Sequence, residues 1–167
     1  MRSLLWVLIL SIFGARAIAP GDPAPLPKVS DSYGKPVDLA QITKSGKYVV
    51  LWFYPKASSP GCSAQGKRYA ELYEEFARYN VEIFGVSHDP AAEQCEFIEK
   101  LALKGAMIPD RDGVLAKAYK VGSLLGFYAR DTFLINPQGR IEKVWRNVNP
   151  FKDPDTVLAY LKEKLGK

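Results

Sequence analysis

The chain has 167 residues, nearly half of them hydrophobic, and a formal net charge of +5. That length and apolar fraction suit a single domain with an ample core. Lys and Arg are interspersed with acids, as in EKVWR and KEKLGK, and no basic run carries interleaved aromatics, so no nucleic-acid partner is expected. Two cysteines are too few for a disulfide framework, and with one histidine they make a poor copper or zinc carrier. Chemistry at a thiol is the better reading of them, with no metal and no cofactor expected.

Met1 to Ala19 reads as a targeting segment. Arg2 gives a short positive start, Leu4 to Phe13 is almost wholly apolar, and Ala15-Arg16-Ala17 is a small-x-small cleavage site. Cleavage after Ala17 is expected, giving a leader over 1–17 and one domain over 18–167; the alternative is an uncleaved membrane anchor. The apolar run is too short for an ordinary membrane span. Such a leader sends the protein out of the cytoplasm, to a periplasm, the exterior or an organelle lumen.

Pro20 to Pro27, PGDPAPLP, is an extended lead-in. Ser30 to Lys35 is rich in turn formers around Tyr33-Gly34. Tyr48 to Tyr54 is an uninterrupted β-branched and aromatic run with one leucine, which predicts a central strand buried on both faces. Pro55 stops the ladder because it has no N–H to give. Ser58-Ser59-Pro60-Gly61 forms a turn, and Cys62 falls where a helix begins. Unpaired N–H groups and the positive end of the helix dipole stabilise an anion at such a place, and a thiolate is an anion. Lys56, Lys67 and Arg68 lie near in sequence. The competing reading is a small buried hydrophobe.

The helix is expected to reach about Tyr79, with Tyr69, Leu72, Tyr73 and Phe76 as its core stripe and Asn80 ending it. Val81 to Val86 is a second buried strand. Ser87-His88-Asp89-Pro90 follows, then a helix to about Leu103. Strand, helix, strand, helix implies a parallel pair joined by a right-handed crossover, with sites at the carboxyl ends of strands. His88 lies past such an end but reads as an ordinary loop histidine. Met107 to Gly113 is a short strand and turn. Asp112 is expected to cap the next helix, which turns Val114, Leu115, Ala118 and Tyr119 inward. Gly122 to Phe127 is a small-residue loop. Thr132 to Ile135 and Arg140 to Arg146 are strands joined by a type I turn. The last helix has Asp153 as cap, Pro154 at its first position, and Val157, Leu158, Leu161 and Leu165 facing in. The order of elements gives an α/β domain.

Two segments carry a resemblance. YPKASSPGCSAQ resembles the active-site segment of the peroxiredoxins, with Pro55, Ser59 and Cys62 in the pattern's places. In ARDTFLI, Arg130 before an apolar strand matches that family's active-site arginine. FYPK and PGC are most similar to the bacterioferritin-comigratory, or Q-type, subfamily. The resemblance implies a thioredoxin-like α/β sandwich with a central mixed sheet flanked by helices. It implies peroxide reduction, with Cys62 as nucleophile, Arg130 stabilising the thiolate and holding a peroxide oxygen, Ser59 hydrogen-bonding both, and Pro55 shielding the sulfur. A thioredoxin-like or glutaredoxin-like reductant and a monomer are implied too.

The resemblance leaves the resolving thiol open. Where many members have a second cysteine five residues on, this chain has Lys67; the other known place falls at Ile98. Cys95, one turn earlier on the same face, is the available candidate, and it also fits an apolar stripe with Ile98 and Ala102. A bridge to Cys62 would need local unwinding. Gln65 stands where glutamate is usual. The rival readings are a thioredoxin-class thiol–disulfide oxidoreductase, which would need a C-x-x-C pair where the chain has Cys62-Ser63-Ala64-Gln65, and a non-catalytic binding domain.

Overall fold

A computed structural model describes residues 17–166. The proposed leader, apart from Ala17, lies outside the described residues. A five-stranded sheet forms the centre, in the order β5-β4-β3-β8-β9. The strands are β3 (Tyr48–Phe53), β4 (Val81–Ser87), β5 (Ala106–Pro109), β8 (Thr132–Ile135) and β9 (Ile141–Trp145). β3 runs parallel to β4 and antiparallel to β8, so the sheet is mixed. β1 (Lys28–Ser30) and β2 (Pro36–Asp38) make a hairpin around the predicted turn. β6 (Ser123–Leu124) and β7 (Phe127–Tyr128) make another where a loop was expected.

β3 is the central strand because both its faces are covered. Val50, Trp52 and Tyr54 join one core with Tyr69, Phe76, Phe97, Val157 and Leu161. Val49, Leu51 and Phe53 join the other with Leu39, Leu115, Tyr119 and Phe133. The first core is roofed by α2 (Pro60–Glu71), α3 (Tyr73–Ala77), α4 (Ala91–Leu101) and α6 (Asp153–Leu165), the second by α1 (Leu39–Lys44) and α5 (Val114–Ala118). Each fully buried Val, Leu or Phe of β3 contributes about 1.5–3 kcal/mol of burial. This is the three-layer arrangement the resemblance implied.

Several local expectations change. The long helix begins at Pro60, whose fixed φ suits the first position, and breaks at Leu72 (φ −92°, ψ 1°) into α2 and α3. Its stripe survives the break, with Tyr69, Leu72 and Phe76 buried; neither Pro nor Gly marks the break. α1, not foreseen, is capped by Asp38, which accepts from the Gln41 amide at 3.1 Å. α5 begins at Val114 with Gly113 at the cap position, and Asp110 rather than Asp112 satisfies its first amides, accepting from Leu115 and Ala116 at 3.0 Å. Ala116 therefore faces in, while Val114 is 51% exposed. On α4 the buried side chains are Gln94 and Phe97, while Cys95 is half-buried and Ala102 lies beyond the helix in a left-handed conformation.

Candidate active site

Sheet register explains why two residues far apart in sequence meet. Trp52 of β3 pairs with Thr132 of β8, and Phe53 N–H donates to the Asp131 carbonyl at 2.9 Å. The start of antiparallel β8 therefore lies beside the carboxyl end of β3, where the chain turns into α2. Val148 N–H holds the Arg130 carbonyl at 2.9 Å, and the neighbouring Asp131 carboxylate pairs with Arg146 at 2.8 Å. Arg130 thus leans over the entrance of α2, and its Nη1 donates to Cys62 Sγ at 3.4 Å.

Cys62 is fully buried in the first turn of α2. Ser59 is the cap residue, yet its side chain caps nothing. In an α-helix the first-turn amides, here those of Gly61 and Cys62, have no intrahelical acceptor. They and the helix dipole add partial positive charge beside the guanidinium. The other cations named from sequence are engaged elsewhere: Lys56 with Asp89 and Glu93, Arg68 with Asp155 and Glu71. Lys67 is exposed. Arg130 is the cation at the sulfur.

The loop between β3 and α2 is fixed from beneath. Asp89 takes the Ala57 amide and the Ser87 hydroxyl, each at 2.8 Å, and pairs with Lys56 at 3.0 Å. Burial pushes the Asp89 carboxyl up, but the Ala57 amide, the Ser87 hydroxyl and the Lys56 ammonium together hold it below the usual carboxylate range. Because the folded value lies below the unfolded one, the stabilisation is present above about pH 4 and is lost as pH falls through the depressed value. Asp89→Asn should cost about 1–3 kcal/mol at neutral pH. Urea midpoints of the two proteins should converge as the pH is lowered into the acid range; a constant gap would contradict this account.

The remaining sequence-named residues fall as follows. Pro55 sits half-buried in the same loop, one residue past the buried Tyr54. Ser59 Oγ donates to the Lys56 carbonyl at 2.9 Å, so its single proton closes the turn rather than meeting the sulfur. Cys95 is not brought to Cys62: its Sγ donates to the Ser32 carbonyl at 3.2 Å, in the β1–β2 hairpin, and both cysteines are free. His88 also lies apart, its carbonyl accepting from Arg111 and its ring 6.2 Å from that of Tyr128.

The reading from sequence missed a buried polar group behind the sulfur. Arg130 Nη1 also donates to Gln65 Oε1 at 3.2 Å, and Gln65 Nε2 donates to Asp153 Oδ2 at 2.9 Å. Asp153 is a buried acceptor, not the helix cap; Lys152 occupies the cap position. The acid before Pro154 was visible in the sequence, but a cap and a buried acceptor look alike there.

The AhpC/TSA family model matches residues 20–144. The chain is 35% identical over 154 residues to peroxiredoxin Bcp of Bacillus subtilis, covering 88% of this chain and 97% of that one. Against peroxiredoxin Bcp of Escherichia coli K12 it is 31% identical over 150 residues, covering 86% and 95%. Among solved structures, peroxidoxin BcpB of Mycobacterium tuberculosis superposes with a TM-score of 0.81 at 28% identity, over 87% of this chain and 97% of that one. The bacterioferritin comigratory protein of Xanthomonas campestris, in structures addressing its alkyl peroxide reduction, gives 0.76 at 30% identity, over 86% and 99%. The buried cysteine, the arginine on it and these relatives lead to one placement: the chain belongs to the AhpC/TSA family, as a peroxiredoxin of the bacterioferritin-comigratory, or Q, type.

Proposed function

We propose that the protein is a thiol-dependent peroxidase that reduces hydrogen peroxide and organic hydroperoxides at Cys62. The observation that carries this is the Arg130 guanidinium set on a buried sulfur at a helix entrance, 3.4 Å from it. The Cys62 thiolate attacks the terminal peroxide oxygen. An S–O bond forms, the O–O bond breaks, and the departing oxygen takes a proton to leave as water or alcohol. The sulfur becomes a sulfenic acid. Arg130 stabilises the anionic sulfur before attack and offers donors to the peroxide oxygens as charge moves onto them. Pro55 limits water at the sulfur, and Ser59 holds the turn that presents it.

A second thiol then displaces water from the sulfenic acid to give a disulfide, which a thioredoxin-like or glutaredoxin-like dithiol reduces. Cys95 is the thiol in this chain that can do so. It must leave the Ser32 carbonyl, and the first turn of α2 must open, since disulfide Cα atoms lie within about 7 Å. The 1–17 leader supports export, and the Q-type kinship supports a monomer. Peptide mapping after one equivalent of hydrogen peroxide should find a Cys62–Cys95 disulfide. Recovery of Cys62 sulfenic or sulfinic acid alone, with Cys95 reduced, would assign resolution to an external thiol.

A further inference from the structure

Gln65 is fully buried and bridges two groups of opposite demand. A guanidinium only donates and a carboxylate only accepts, so Arg130 and Asp153 together dictate which way the Gln65 amide faces. Asp153 is 3% exposed. Its Oδ2 takes three donors: Gln65 Nε2 at 2.9 Å, Tyr69 OH at 2.6 Å and Thr132 Oγ1 at 3.0 Å. Among the described residues its Oδ1 has no hydrogen-bond partner. The donors on Oδ2 come from two turns of α2 and from the start of β8; Cys62 lies in the first turn of that helix, and Arg130 stands two residues before that strand. Asp153 therefore ties the nucleophile's helix to the strand that the arginine's segment leads into, and Gln65 carries that tie to the guanidinium.

We propose that Asp153 is a positioning residue for the peroxide reaction, acting through Gln65 to hold Arg130 on Cys62. The inference rests on Cys62 being the peroxide-reacting thiol. The bridge needs one amide and one carboxylate, so that each facing pair is a donor and an acceptor. Gln65→Glu sets two carboxylates against each other, which drives one to take a proton or both to separate. Adding Asp153→Asn restores complementarity with the order reversed, because the new amide at 153 can donate to the new carboxylate at 65.

The test is the rate of Cys62 oxidation by hydrogen peroxide, measured by rapid mixing of reduced protein well below the unfolding temperature. Reduction of the oxidised protein by dithiothreitol is measured alongside. Gln65→Glu and Asp153→Ala should each slow the oxidation by about 10-fold or more, as misplacement of a catalytic group does. The double variant Gln65→Glu/Asp153→Asn should recover to within about threefold of the wild type. The reduction step should be the same throughout, which a role in stability alone would not produce. Gln65→Glu and Asp153→Ala reacting as fast as an active wild type would overturn the proposal, as would a double variant no faster than Gln65→Glu. A wild type whose Cys62 does not react with peroxide would instead remove the reading beneath it.

Discussion

Cys62→Ser should reduce peroxide consumption to the level of the reductant alone, a loss on the order of 10³-fold or more. A serine hydroxyl stays protonated at neutral pH and cannot accept and release oxygen as sulfur does. The fold should survive. The replacement is nearly isosteric, and its hydroxyl can accept the hydrogen bond that Arg130 Nη1 gives the sulfur at 3.4 Å. Circular dichroism should overlay that of the wild type. Cys95→Ser should behave differently: its first turnover should proceed and then stall at the sulfenic acid unless an external thiol is supplied. A Cys62→Ser protein that still consumes peroxide would move the chemistry elsewhere.

Arg130→Met should slow the reaction of Cys62 with peroxide by about 10²-fold, the usual scale for removing one preorganised donor to developing charge. Methionine keeps the apolar stem and removes the charge. The backbone need not move, because the Arg130 carbonyl still accepts from Val148. A gentler version of the same experiment is written into Gly61. A Cβ there would stand 2.7 Å from Arg130 Nη2 and 3.3 Å from Pro150 Cγ. Gly61→Ala must displace the end of the flexible arginine, so it should lower the same rate by less than Arg130→Met while leaving the unfolding midpoint nearly unchanged. Stopped-flow oxidation of the two variants at matched pH checks both. Equal rates in Arg130→Met and wild type would deprive the arginine of its role.

What could be read from the sequence was what short-range chemistry writes into it. Tyr48 to Phe53 announces a central strand because no polar residue interrupts it, and the turn into Cys62 follows from Pro and Gly placement. Arg130 was found by resemblance, and strand register then showed why it reaches Cys62. The bridge behind them was not legible, since Gln65 and Asp153 are 88 residues apart and meet only when α6 packs on α2. Asp112 fits a capping pattern by its place in sequence, but the acceptor of the first amides of α5 is the buried Asp110, and burial is not written in that spacing. The buried face of α4 was misread because it carries a polar residue. Gln94 lies inside by bonding Ser32, Ser87 and the Ile108 carbonyl, which no hydrophobic stripe reveals.

The most direct test is the second-order rate constant for hydrogen peroxide with the reduced protein, followed by trapping of the Cys62 sulfenic acid and set beside free cysteine in the same buffer. A sulfur primed by Arg130 and a helix entrance should outpace free cysteine by more than about 10³-fold, with the trap on Cys62. A rate equal to that of free cysteine, or a trap found on Cys95 instead, would contradict the account.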